Sequence, residues 1–375
     1  TQTDLGLDVG ILNNKITLLF DYYNRETSDL LTNLTLPSYV GFGSIRTNLG
    51  TFQNKGFEIT ANANILKTKS GLTLDAGANI SFVKNKILEL PFNGNENNRQ
   101  GGFQIYDAAQ GKVIWVSGLQ EGQPLGAIYA YKQLSIFQDA AEVVKIANNR
   151  YDAVANITGP GLSFGAGKIT AGDVNWMDVD RNDTIDSRDQ VYIGNVNPKF
   201  TGGFSTTLSY KGFSFITRFD YAVGHTLYND LVTRVMGNYQ GTFNFMNLSK
   251  EGFSGSNYRN DIQKVYSADV GAKPIGMQNL TRGNNAGQVL QGNNSNFYEK
   301  GDYLACREIT LSYDFGKELL SKTKIVSNAR VFLNANNLFY ITKFSGNSPE
   351  PRNNGIFAGN YPTPKSYVLG VQVTF

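Results

Sequence analysis

The chain has 375 residues, 34 basic and 31 acidic for a net charge of +3, and 41% hydrophobic residues at a mean hydropathy of −0.29. No run approaches the roughly 18–20 apolar residues that a membrane helix needs, so helical spans are excluded, whereas spans built from strands are not. Scattered basic residues exclude a nucleic-acid partner, and a single cysteine (Cys306) with a single histidine (His225) excludes an internal disulfide, a cysteine metal cluster and the commonest triads and zinc sites.

Thr1 brings no signal peptide and leads almost directly into a strand, as expected of a fragment or mature product of something longer. Alternation then recurs along the chain. In 57–65, Phe57, Ile59, Ala61, Ala63 and Ile65 alternate with Glu58, Thr60, Asn62 and Asn64. In 72–82, Leu72, Leu74, Ala76, Ala78, Ile80 and Phe82 alternate with Thr73, Asp75, Gly77, Asn79 and Ser81. In 213–221, Phe213, Phe215, Phe219 and Tyr221 lie opposite Ser214, Arg218 and Asp220. Side chains of a strand point alternately to its two faces, and nine to eleven residues match a tilted membrane crossing. The final segment repeats the pattern, with Tyr367, Leu369, Val371, Val373 and Phe375 on one face.

About eleven strands are predicted in all: 4–12, 15–25, 50–66, 71–86, 104–118, 126–137, 199–210, 212–224, 302–314, 328–339 and 364–375. Asn13-Asn14, Thr68-Lys69-Ser70-Gly71 and Lys211-Gly212 are hairpin-sized connections. Long loops are predicted at about 138–198 and 225–301. Alternating the strand ends places every tight turn on one side and the long loops on the other, the asymmetry of a transmembrane barrel. The predicted fold is therefore all-β, a transmembrane antiparallel β-barrel. A bacterial barrel wants an even strand number, and eleven is half of the 22 associated with plugged outer-membrane transporters. A soluble sandwich shares the alternation, but calls for shorter strands and more balanced loops.

Within the first long loop, 178–189 reads Asp-Val-Asp-Arg-Asn-Asp-Thr-Ile-Asp-Ser-Arg-Asp. Asp178, Asp180, Asn182 and Asp189 fall at positions 1, 3, 5 and 12 of a calcium loop, Thr184 at 7 offers a carbonyl and Asp186 sits at 9. Asp183 stands where Gly is expected, and Asp189 is shorter than the usual terminal Glu. The bland alternative is a solvated acidic turn. Five acids in twelve residues, countered by two Arg, favour a structural Ca2+ that pins the loop. Cys306 reads as a small buried filler in a strand and His225 as a surface loop residue. Asn93–Asn98 and Asn284–Asn296 lack ligand spacing and read as flexible loop. Tyr239, Phe243, Phe245 and Tyr258 are candidates to stack on sugar rings, but loop packing explains them equally, and no substrate-binding, catalytic or organic-cofactor residue is assigned.

Several segments together resemble the C-terminal part of SusC/RagA-like TonB-dependent transporters. They are Asn54-Lys55-Gly56-Phe57-Glu58, Asn85-Lys86-Ile87 with Glu89-Leu90, and Gly122-Gln123-Pro124-Leu125-Gly126. Gly172-Asp173 then leads through the acidic loop to Ile193-Gly194-Asn195 and Pro198-Lys199-Phe200. Near the end come Tyr303-Leu304, Arg307-Glu308-Ile309-Thr310-Leu311, Asn336-Asn337-Leu338, Tyr361-Pro362 and the terminal Phe375. The resemblance implies a 22-stranded barrel in the cell outer membrane, surrounded by its lipid and closed by an N-terminal plug. It implies opening by TonB, a SusD-like surface lipoprotein resting on the loops, and import of a glycan or peptide too large for porins. Neither a plug nor a TonB box lies in 1–375, so the missing N-terminal half is itself an expected partner. A passive porin without energy coupling is the alternative function. A soluble carbohydrate-binding protein or enzyme is a third, and no enzymatic activity is expected.

Overall fold

The computed structural model describes residues 1–35, 43–139, 141–142, 158–159, 162–163, 174–182, 186–233, 293–316, 325–350 and 353–375. Nine long strands form one antiparallel sheet: β1 (Gln2–Ile11), β2 (Ile16–Thr35), β3 (Ser44–Lys67), β4 (Thr73–Glu89), β5 (Phe200–Tyr210), β6 (Phe213–Val223), β7 (Tyr303–Asp314), β8 (Asn328–Thr342) and β9 (Ser366–Thr374). Each pairs with the strand next to it in this order, so the sheet is a simple meander with β1 and β9 at its two ends.

Register carries the alternation across the sheet. Leu5, Tyr22, Phe57, Phe82, Phe200 and Val223 stand opposite one another from β1 to β6. A second row runs Leu66, Leu74, Leu208, Phe215, Leu311, Leu333 and Leu369 from β3 to β9. Slipping one strand by one residue would turn its apolar set to the other face, so these rows fix the register. Among the described residues nothing covers this face: Phe57, Phe82, Leu208, Leu311 and Leu369 are all exposed. An apolar surface this continuous is matched to hydrocarbon and not to water. Two hydroxyls on it, those of Thr206 and Thr217, satisfy each other at 2.9 Å.

The opposite face is polar and cross-linked. Asn64 donates to Asp75 at 2.5 Å, Ser81 to Glu58 at 3.0 Å and Arg330 to Ser312 at 2.7 Å. At one end lie the tight turns, together with the longer 315–327 connection. Lys211 and Gly212 form a two-residue turn with φ of 45° and 90°, which needs the left-handed region at both positions. A Cβ at Gly212 would also lie 2.6 Å from the Asp314 carbonyl oxygen. The other end carries the long connections.

Two features of the predicted strand list are corrected. Among the described residues the wall sheet has nine strands and not eleven. The segment 104–118 is instead a short hairpin of Phe103–Asp107 with Lys112–Val116, and 126–137 breaks into Ala127–Tyr131 and Gln133–Ile136. Ala127–Tyr131 pairs with Gln190–Asn195, and Gln133–Ile136 pairs with Val174–Trp176, outside the wall. Arms of four or five residues are too short to cross a bilayer, and β4 pairs directly with β5. The first long connection consequently starts at residue 90 and not near 138. The second correction concerns length: β2 and β3 run to 20 and 24 residues, well past the predicted 15–25 and 50–66, so this hairpin stands above the rest of the wall.

The conventional core lies in the loop layer. Ile136, Phe137 and Trp176 are 0–1% exposed, and Leu227, Phe344 and Phe357 form a second buried cluster. Cys306 is fully buried, as a filler residue should be. His225 is also fully buried, not on the surface. Its Nε2 lies 2.9 Å from the Pro349 carbonyl oxygen and its ring meets Tyr303 edge-on. Asn294 is likewise 1% exposed, with its amide donating to Gln133 at 2.8 Å, so this part of the Asn-rich segment is structural.

Candidate functional site

The acidic loop is built on a buried anchor. Val174–Trp176 is fully buried, and Trp176 packs edge-on against Tyr131 with centroids 6.1 Å apart. The chain then turns through 178–182 and re-enters at a single 3-10 turn, Ser187–Asp189. Asp186 caps that turn: its carboxylate accepts from the Arg188 N–H at 2.7 Å, while Asp189 accepts from the Asp186 N–H at 2.8 Å. The second Asp189 oxygen accepts from the Val179 N–H at 2.7 Å. Asp189 is fully buried, so one carboxylate holds both ends of the loop together.

Side-chain oxygens of Asp178, Asp180 and Asp189 all lie within 4.8 Å of one another. Asn182 stays beside them, with its amide donating to Asp180 at 3.0 Å. Of the six predicted ligands, three are therefore gathered and Asn182 adjoins them. Asp186, expected as a direct or water-mediated contact, is not gathered with them: its carboxylate caps the turn and lies 3.5 Å from Arg188. Thr184, with Asp183 at the expected glycine position, lies outside the described residues. Burial pushes the Asp189 carboxyl up to about 7, against the pull of its two backbone N–H donors and with the charges of Asp180 and Asp178 adding to the rise. Burial also raises Asp180, with Asp178 contributing. Clustered carboxylates that resist ionising are what a hard divalent cation relieves, since it favours the charged form of each. Three carboxylates fall short of the six to eight oxygens that calcium takes, so carbonyls and water would complete the set.

A second cluster, on the polar face at the loop end of the wall, had no local signature in the sequence. The pairing of β7 skips a residue between Cys306 and Glu308, a bulge that leaves Arg307 unpaired in the ladder. Its guanidinium takes both oxygens of Asp220, one through Nε and the other at 2.9 Å, and reaches Glu350 at 2.7 Å. Tyr340 donates to the same Glu350 oxygen at 2.8 Å, and Tyr303 to Asp220 at 3.3 Å. Next to it Glu308 pairs with Arg218 at 3.2 Å and accepts from Thr310 and Asn334. The bulge thus ties the 344–350 segment to the wall. Tyr239, Phe243, Phe245 and Tyr258 lie outside the described residues.

No family profile matches the sequence. Known proteins do. The whole chain aligns at 27% identity, over 399 residues, with TonB-dependent receptor P39 of Formosa agariphila, covering 35% of that protein. It aligns at 26% identity, again over its whole length, with TonB-dependent receptor SusC of Bacteroides thetaiotaomicron, covering 32% of it. The chain is a homologue of SusC-type TonB-dependent receptors. It spans about a third of their length. The RagAB peptide transporter superposes over 100% of the chain and 35% of its own at a TM-score of 0.67 and 22% identity, which supports the fold. These relatives are β-barrels of the outer membrane, and the exposed apolar rows of this homologue belong against the lipid of that membrane.

Proposed function

We propose that the chain is a sector of the barrel wall, with its loop layer, of a TonB-dependent importer that brings a large nutrient across the outer membrane. The observation that carries this is the wall itself. Its nine strands in meander order have one face apolar and exposed and the other polar and cross-linked, and the whole length aligns with TonB-dependent receptors. The tight turns would face the periplasm and the long loops the cell exterior. Among the described residues both end strands, β1 and β9, pair along one edge only, and the bilayer does not tolerate an unpaired edge. The remaining wall of the longer protein would pair them, and its plug would close the lumen. The loop layer would seat a SusD-like lipoprotein as lid, with a glycan or peptide as cargo. The acidic loop would bind Ca2+ through Asp178, Asp180 and Asp189, fixing the loops on which the lid rests.

Uptake of candidate oligosaccharides and peptides by cells carrying the full-length protein tests this, with and without TonB. Uptake that stops without TonB is expected. Uptake that continues unchanged would establish a passive porin instead. Calcium titration of the purified protein tests the loop: saturable binding is expected, lost in Asp189→Asn, and no binding in the parent would return the segment to a solvated acidic turn.

A further inference from the structure

We propose that the wall carries a binding site for a phosphate-bearing lipid headgroup of the outer leaflet, held by Lys55, Lys84 and Lys86. On the apolar face, Phe57, Phe82 and Phe200 stand in register across β3, β4 and β5. Phe82 and Phe200 touch, with ring centroids 5.6 Å apart. Two residues further toward the loop end, on the same face, Lys55 stands directly opposite Lys84. One step beyond, Lys86 stands opposite Gln53. Two residues along a strand rise about 6–7 Å, less when the strand is tilted, so the ammonium groups sit just above the aromatic row, at headgroup depth.

Like charges directly opposite each other in a sheet repel, so this arrangement needs a counter-charge. Among the described residues no carboxylate lies within ion-pair distance of Lys55, Lys84 or Lys86. The nearest in the ladder on that face, Glu26, instead accepts from Gln53 at 2.8 Å. All three lysines are exposed.

The sheet also opens here. β5 pairs with β4 only as far as Phe200 opposite Phe82, and above that point 122–125 packs along the upper edge of β4, with the Gly122 N–H donating to the Ile87 carbonyl and the Leu125 N–H to Asn85. The fork leaves a cleft of about 750 Å³ whose described lining holds four lysines, the fourth being Lys199, and no carboxylate. Phe82 and Phe200 line it as well. Acyl chains against the phenyl rings and phosphate oxygens against the ammonium groups would satisfy both halves of such a cleft, and a soluble anion would use only one. The site rests on the wall's place in the outer membrane with its loop end outward, and not on import.

The test is binding of diphosphoryl lipid A to the purified full-length protein in a non-ionic detergent, read by native mass spectrometry and titration. Removing three cationic contacts to the phosphates, Lys55→Gln/Lys84→Gln/Lys86→Gln should weaken binding by at least about tenfold. The control Lys69→Gln/Lys211→Gln, at the turn end, should bind like the parent. Dephosphorylated lipid A should bind the parent at least about tenfold more weakly. Raising salt to about 0.5 M, where screening acts within a few ångströms, should weaken the parent as well, a reading that needs no variant to fold. Equal binding by parent and triple variant, salt-insensitive binding, or inorganic phosphate binding as tightly as the lipid would each overturn the proposal. Because no step requires uptake, a failed import assay leaves this result intact, and the reverse also holds.

Discussion

The wall and the loop layer of this molecule are built on opposite rules. In the wall, the large apolar side chains are outside: Leu311 and Leu333 are each 48% exposed and Leu369 75%. The polar groups of its other face bond to one another, as Arg218 and Glu308 do. In the loop layer the order is that of a soluble protein, with Trp176, Phe137 and Leu227 buried and buried amides such as Asn294 and Asn229 hydrogen-bonded. One chain thus folds against two solvents. The apolar surface that would aggregate in water stabilises the wall only because hydrocarbon surrounds it, whereas the loop layer relies on removing apolar surface from water.

Substitutions should divide along the same line. Trp176→Ala opens a large cavity under the acidic loop and should cost about 3–5 kcal/mol of local stability. Limited proteolysis should find the loop layer cut faster, while the heat-dependent gel mobility of the barrel stays the same. Phe204, stacked on Phe219 with centroids 4.9 Å apart, faces outward midway along β5. Phe204→Arg should cost about 2–4 kcal/mol by placing a charge in hydrocarbon, and Ser205→Arg on the other face close to nothing. Denaturant unfolding in lipid vesicles compares the two, and equal costs would break the assignment of faces.

Arg307 joins the two regions. Arg307→Ala leaves Asp220 and Glu350 facing each other without their shared cation. These groups are only part-buried, so the loss should be about 1–2 kcal/mol, below that of a deeply buried pair. Hydrogen exchange should rise in 344–350 first.

The smallest effect is one of pH. Asp189 has a folded pKa raised to about 7, above an unfolded value of about 4, so the folded chain holds more protons between them. Without a cation, loop stability therefore falls as pH rises through that window and levels off above it. Calcium competes with the same proton, so its affinity should climb across the window, by up to about tenfold per unit for one proton displaced, and flatten above about 7. Calcium titrations of the parent at several pH values read this slope, and in calcium-free Asp189→Asn the fall of loop stability across the window should disappear.

What the sequence determined by itself is what depends on near neighbours. Alternation at period two set the strands and their faces, because successive side chains of any strand point opposite ways. Asn13-Asn14 and Lys211-Gly212 marked tight turns, because they accept the left-handed conformations such turns require. The spacing of Asp178, Asp180 and Asp189 placed three carboxylates within reach of one another for the same local reason. Tertiary structure decided the rest. Residues 104–118 and 126–137 look like wall strands in sequence, but β4 takes β5 as its partner and leaves them to the loop layer. Asp186 matched a ligand position, but the 3-10 turn claimed it as a cap. His225 was set at the head of a long loop by the sequence and enclosed by Pro349 and Tyr303 in the fold. The bulge at Arg307 and the facing of Lys55 by Lys84 depend on pairings between strands far apart in the chain. Those pairings are chosen by the energy of the whole sheet, and no window of residues contains it.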